Sequence, residues 1–145
     1  MRIAVGSDHA GFRLKQVVAG HLRGLGHEVL DLGTYDESST DYPDHARSVA
    51  VAITEGKAEQ GVLVCGTGQG MAMTANRFKG IRAAVVNDAF SARLVREHND
   101  ANVLCLGQRV IGEGQALECV DAWVNARFEG GRHERRVKKI EDAGA

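Results

Sequence analysis

Cys65 ends an apolar run, "GVLVCG", and is followed by "GTGQG", in which Gly66, Gly68 and Gly70 alternate with Thr67 and Gln69. Alternating glycines let successive backbone N–H groups point into one concavity, and the positive end of the helix expected next adds to it, a setting suited to a small anion or a developing oxyanion. A helix N-terminus also favours the thiolate form of a nearby cysteine, so Cys65 could act as a base or a nucleophile, or simply fill space as a small apolar residue. Asp8 and His9 follow a second apolar run, where they could serve a pocket or cap the next helix. His98 and Asn99 close a helical pattern, where the dipole favours imidazolium and Asn suits a left-handed cap. Arg132 and Arg136 are spaced i, i+4 and could fork around a phosphate or form a solvated face with Glu134 and Glu141.

Known glycine-rich devices fit the turn poorly. A P-loop requires GK[ST], which is absent. A dinucleotide fingerprint fails because Met71 or Met73 stands at its last position, although Asp88 lies near the spacing of a ribose-binding acid and keeps a nucleotide-binding module as a distant alternative. A C-x5-R phosphatase loop would need Arg where Met71 stands.

The surrounding elements must position these groups. Five β-rich runs, 2–7, 28–33, 61–66, 82–87 and 102–107, alternate with helical patterns. This alternation predicts a three-layer α/β/α, Rossmann-like fold around a five-stranded parallel sheet, with residues 1–145 as one domain. Leu14, Val17, Val18, Leu22 and Leu25 form the apolar face of the first helix, which Gly26 stops. Asp41 is expected to cap a helix with a core face of Ala46, Val49, Ala50 and Ile53. Further helices are expected at 89–98 and 113–127, and a charged one with little apolar face closes the chain at about 132–142. If the strand order begins 2-1-3, the turns after strands 1 and 3 are neighbours, and "SDHAG" lies beside "CGTGQG".

Composition sets outer limits. The 145 residues are 43% hydrophobic, enough to bury roughly two-thirds of the unfolded surface. Lys and Arg number 18 against 19 Asp and Glu, for a net charge of −1, so no global field recruits nucleic acid or an acidic membrane. There is no signal-peptide pattern and no membrane-length apolar segment, which leads to the expectation of a cytoplasmic protein. Cys65, Cys105 and Cys119 form no CxxC pair, so neither a disulfide framework nor a metal site is expected, and Cys105 and Cys119 read as core. His21, His27, His45 and His133 have no evident partner.

The segments "GSDHAGF", "TDYPDHA", "VCGTGQGM", "ANRFKGIRAA", "REHNDANVLCLGQRVIG" and "DAWVNARFEGGRH", with Arg136, resemble the type B ribose-5-phosphate isomerases, a group that includes galactose-6-phosphate isomerase subunits. The resemblance spans nearly the whole chain and thins after Arg136. It implies a cofactor-free, metal-free aldose–ketose isomerase of a sugar phosphate, acting through a cis-enediol, with ribose 5-phosphate as substrate or, alternatively, a hexose 6-phosphate such as allose or galactose 6-phosphate. By this resemblance Cys65 is the base, and Gly66, Thr67, Gly68, Gln69 and Gly70 cradle the enediolate with help from the Thr67 hydroxyl. His98 opens the furanose ring, with Asp8 near the sugar hydroxyls. Asn99 and Tyr42 contact the sugar, and His9, Arg109, Arg132 and Arg136 surround the phosphate. In part of the family a Glu just after the turn replaces the cysteine; Met71, Ala72, Met73 and Thr74 occupy those positions here. The resemblance also implies a homodimer, or a dimer of such dimers, with the terminal helix reaching the partner subunit.

Overall fold

The computed structural model describes residues 1–144. Five parallel strands, β1 (Arg2–Ser7), β2 (Glu28–Asp31), β3 (Gln60–Cys65), β4 (Ala83–Val85) and β5 (Val103–Gly107), are ordered β2-β1-β3-β5-β4. The helices are α1 (Phe12–Gly24), α2 (Tyr42–Thr54), α3 (Gln69–Ala75), α4 (Ala89–Asn99), α5 (Glu113–Val124) and α6 (Arg132–Asp142). No helix among the described residues is long and apolar enough to cross a membrane.

Side-chain alternation along the central strands divides the core. Ile3, Val5, Val62, Val64, Leu104 and Leu106 face one side and pack with α1, α4 and α5. Ala4, Leu63, Cys65, Val103 and Cys105 face the other and pack with α2 and α3. The strands are therefore apolar on both faces, as a covered parallel sheet requires. β1 and β3 are neighbours, which brings their carboxyl-end turns together.

Several expected boundaries move. β2 stops at Asp31 rather than Gly33 because the chain bends: Ser7 N–H donates to Gly33 O, Thr34 N–H donates to Ser7 O, and Gly33 has φ +96°. β4 covers only 83–85, since Asn102 takes the Arg82 N–H through its side-chain oxygen. α5 ends at Val124, short of Arg127. Leu25 lies past the end of α1 and is exposed, while Gly26, at φ +93°, makes the turn. Asp41 occupies the N-cap position of α2 without a side-chain cap bond, and Pro43 in the first turn presets the backbone instead.

Polar ties fix the loops that the strands leave. Lys15 on α1 is buried, and its Nζ donates to Asp31 Oδ1 (2.6 Å) and Thr34 O (2.5 Å), pinning the segment after β2. α6 has little apolar face, as expected: only His133 and Val137 are buried, Ile140 is half exposed, and the helix packs on α4. At its far end Glu141 pairs with Arg82, and not with Arg132 or Arg136 as the solvated-face reading supposed.

Candidate active site

β3 delivers Cys65 to the carboxyl edge of the sheet, where its side chain is 5% exposed. The chain then turns back so that the Gly68 N–H donates to Cys65 Sγ over 3.1 Å. That turn needs glycine at 68 twice over: φ is +82°, and a Cβ there would lie 3.1 Å from the Leu106 backbone. The Gln69 N–H reaches Thr67 Oγ1 at 3.4 Å. α3 is only seven residues long, so the anion-favouring donors are the N–H groups of the turn and first helical turn, which lack intrahelical acceptors.

The neighbouring strand ends complete this cluster. β5 lies beside β3, and Gln108 N–H and Arg109 N–H donate to Cys65 O and Gly66 O. The Arg109 side chain folds over Gly66, with Nη1 3.4 Å from where a Cβ would stand. Tyr42 opens α2 and lays its ring against Gly70, so closely that a Cβ there would meet Cε1 at 2.3 Å. From β1, Asp8 is 6% exposed and accepts the Gly11 N–H at 3.1 Å, while its own N–H donates to Val64 O. His9 Nδ1 accepts the Thr40 N–H at 3.1 Å, and Thr40 Oγ1 meets His45 Nε2 at 3.0 Å. Asp8, His9, Tyr42, Cys65, Gly66, Thr67, Gly68, Gln69, Gly70 and Arg109 thus share one edge.

His98, Asn99, Arg132 and Arg136 lie elsewhere. α4 runs antiparallel to the strands, and its 11 residues carry it about 16 Å back along the sheet, ending just before β5 begins. The left-handed cap expected at Asn99 falls on Asp100, at φ 51°, so Asn99 completes the helix and is exposed. Arg132 and Arg136 are exposed on α6, which packs against α4. Within one chain these four residues occupy the edge opposite Cys65. A cavity of about 530 Å³ on that edge is lined by Asn99 with Phe78, Ile81, Val95 and Ile140, and does not include the Cys65 turn.

Two residues beside His98 were not singled out in the sequence. His133 stacks on His98, with centroids 4.3 Å apart and planes 9° from parallel. Glu129 Oε1 lies 3.4 Å from His98 Nε2 and 3.5 Å from His133 Nε2. Burial, then the His98 charge, then Arg132 hold the His133 pKa below its ordinary value. The available signal was the i, i+4 spacing of Glu129 and His133, obscured by the intervening Gly130 and Gly131. The other histidines without evident partners are engaged: His21 with Asp121, His27 with the N-terminal amine and His45 with Thr40.

Competing assignments also resolve. Asp88, the candidate ribose-binding acid, accepts from Ser91 N (2.7 Å) and Ser91 Oγ (2.9 Å) as the N-cap of α4, and these bonds lower its pKa. Cys105 and Cys119 are buried and free; burial pushes the Cys105 thiol far up, and burial followed by the Asp88 charge pushes Cys119 up to about 11.

A family described as Ribose/Galactose Isomerase matches residues 3–140. The chain is 50% identical over 139 residues to ribose-5-phosphate isomerase B of Escherichia coli (strain K12), spanning 96% of this chain and 93% of that protein. Among solved structures, ribose-5-phosphate isomerase B of Clostridium thermocellum matches with a TM-score of 0.98 at 49% identity, covering 99% of this chain and 97% of that one. Ribose-5-phosphate isomerase B of Mycoplasma genitalium with bound ribulose 5-phosphate matches with a TM-score of 0.94 at 41% identity, covering 99% and 95%.

Proposed function

The chain belongs to the ribose/galactose isomerase family, and from that membership we propose that it interconverts ribose 5-phosphate and ribulose 5-phosphate through a cis-enediol, with Cys65 as general base. The observation that carries this reading is the Cys65 thiol held by the Gly68 N–H at the mouth of the glycine turn. A base at that point takes the C2 proton of the open-chain aldose and returns it to C1. No electrons leave the substrate, because the aldehyde becomes a hydroxymethyl group as the C2 alcohol becomes a ketone. Charge that builds on the two oxygens meets the Thr67 hydroxyl and the backbone N–H groups of the turn other than those of Gly68 and Gln69, which donate to Cys65 Sγ and Thr67 Oγ1.

His98 serves as the acid that opens the ring, with Asp8, Asn99 and Tyr42 on the sugar hydroxyls, and His9, Arg109, Arg132 and Arg136 around the phosphate. The two-edge distribution supports a homodimer. One chain holds Cys65 and Arg109 at one edge and His98 and Arg136 at the far end of α4, a helix about 16 Å long, so a sugar phosphate that touches both sets takes the second set from a partner. A closed two-fold pair supplies it twice.

The test uses purified protein with chelator present, ribose 5-phosphate in D2O, and a hexose 6-phosphate panel in parallel. The expected result is ribulose 5-phosphate formation with solvent exchange of the C2 proton, and kcat/KM highest for the pentose phosphate. Binding without C2 exchange overturns the isomerase reading, and a higher kcat/KM for a hexose phosphate overturns the substrate. Cys65→Ala should lower kcat about 100- to 10,000-fold. Near-parental kcat would remove Cys65 as the base.

A further inference from the structure

We propose that His133 is a positioning residue for ring opening: its buried imidazole, stacked on His98, holds the ring of that acid in one orientation. The inference rests on the ring-opening role given to His98 above.

Opening a furanose moves a proton onto the ring oxygen while the bond from C1 to that oxygen breaks and the anomeric hydroxyl gives up its own proton. The acid must therefore point at one atom. His98 stands near the end of α4 with its side chain 35% exposed. The second side-chain torsion of a histidine is broad and roughly two-fold, so the helix alone does not fix the ring. Two contacts hold it. The His133 ring lies with its centroid 4.3 Å away and its plane 9° from parallel, and Glu129 Oε1 lies 3.4 Å from His98 Nε2.

His133 has the features of a flat support. It is 7% exposed, α6 carries it against α4, and among the described residues no hydrogen bond reaches its Nε2. Buried polar atoms ordinarily find partners, and this ring instead keeps its face on His98 with a nitrogen unsatisfied. Two stacked imidazolium rings would repel, whereas a neutral ring tolerates a proton-carrying neighbour. Burial, then the charge of His98, then Arg132 keep His133 on the neutral side, and Arg136 acts in the same direction. Glu129 Oε1, 3.5 Å from His133 Nε2, faces the pair with a single compensating charge.

The test separates ring opening from proton transfer. Ribulose 5-phosphate cannot form a furanose, because the phosphate occupies the oxygen that would close it. Exchange of its C1 proton with D2O therefore reads the Cys65 step alone, whereas turnover of ribose 5-phosphate requires ring opening as well. His133→Ala should lower kcat/KM for ribose 5-phosphate by about 10- to 100-fold, the scale of a misplacement of about 1 Å, while C1 exchange stays within about twofold of the parent. His133→Phe, which keeps a flat ring without nitrogen, should restore most of the loss. In a His98→Asn background, His133→Ala should add no further loss, since it acts through His98. Equal losses in the two assays would make His133 a structural residue only. Failure of the folded His133→Phe protein to recover, or an additive loss in the double variant, overturns the proposal as well. A selective loss in His98→Asn with none in His133→Ala overturns the proposal alone; parental ribose 5-phosphate turnover in His98→Asn overturns the ring-opening role and the proposal with it.

Discussion

The backbone N–H of Gly68 donates to the sulfur of Cys65 over 3.1 Å, and the same glycine is pressed against the backbone of Leu106 on the neighbouring strand. The position of the candidate base therefore depends on a contact between β3 and β5. That hydrogen bond fixes the direction in which the sulfur faces the turn.

Gly68→Ala should then impair both stability and turnover. At φ +82°, with the new methyl 3.1 Å from Leu106, the backbone must shift or carry strain of about 1 to 3 kcal/mol. The expected outcome is a lower Tm together with a reduced kcat in the fraction that remains folded. A variant with parental Tm and kcat would show that the turn does not need this conformation.

Arg132 and Arg136 of α6 are exposed and engaged in no ion pair among the described residues, as suits groups waiting for an anion. Arg132→Ala and Arg136→Ala should each weaken inorganic phosphate and substrate alike by about 1.5 to 3 kcal/mol, roughly 10- to 100-fold in Kd. Calorimetric titration of phosphate checks this, and an unchanged Kd would return both residues to a solvated face.

Complementation tests the shared site. Cys65→Ala chains refolded together with Arg136→Ala chains should form about half hybrids, each with one doubly damaged site and one intact site. At a substrate concentration well below the raised KM of the Arg136→Ala protein, recovered activity should approach roughly a quarter of the parental value, well above that of either variant alone. Hybrids that form and remain inactive would assign both residues to the same chain's site.

Asp88→Ala tests the reassignment of that residue from ligand to cap. Loss of the two bonds from Ser91 should lower stability at neutral pH, read as a lower denaturation midpoint. Because those bonds hold the folded-state pKa below its ordinary value, the cap's contribution is present above about pH 3.9 and is lost as pH falls through the lowered folded value. Chemical denaturation of both proteins should thus show a gap at pH 7 that closes in strong acid. A gap independent of pH would mean that the carboxylate is not the source.

By itself the sequence determined the parallel α/β sheet, because two-faced apolar runs and helical spacings are local patterns, and β1 matched its expected span, 2–7. It also determined that Cys65 meets the glycine turn, since that follows from where a strand ends, whereas Asp8 and His9 stand beside it because β1 pairs with β3, an order the sequence offered only as a condition. Element ends were less legible: β2 shortens because the chain bends where Ser7 donates to Gly33 O and accepts from Thr34 N–H, and Asp100 rather than Asn99 takes the left-handed cap. Only the tertiary structure decided that Tyr42 lies on Gly70 and Arg109 over Gly66, contacts between residues 28 and 43 positions apart. It likewise decided that His133 stacks on His98, across a Gly–Gly break that interrupts any local periodicity. The separation of His98 from Cys65 onto opposite edges has the same origin: an antiparallel helix carries its end away from the strand termini, a consequence of topology that residue types do not display.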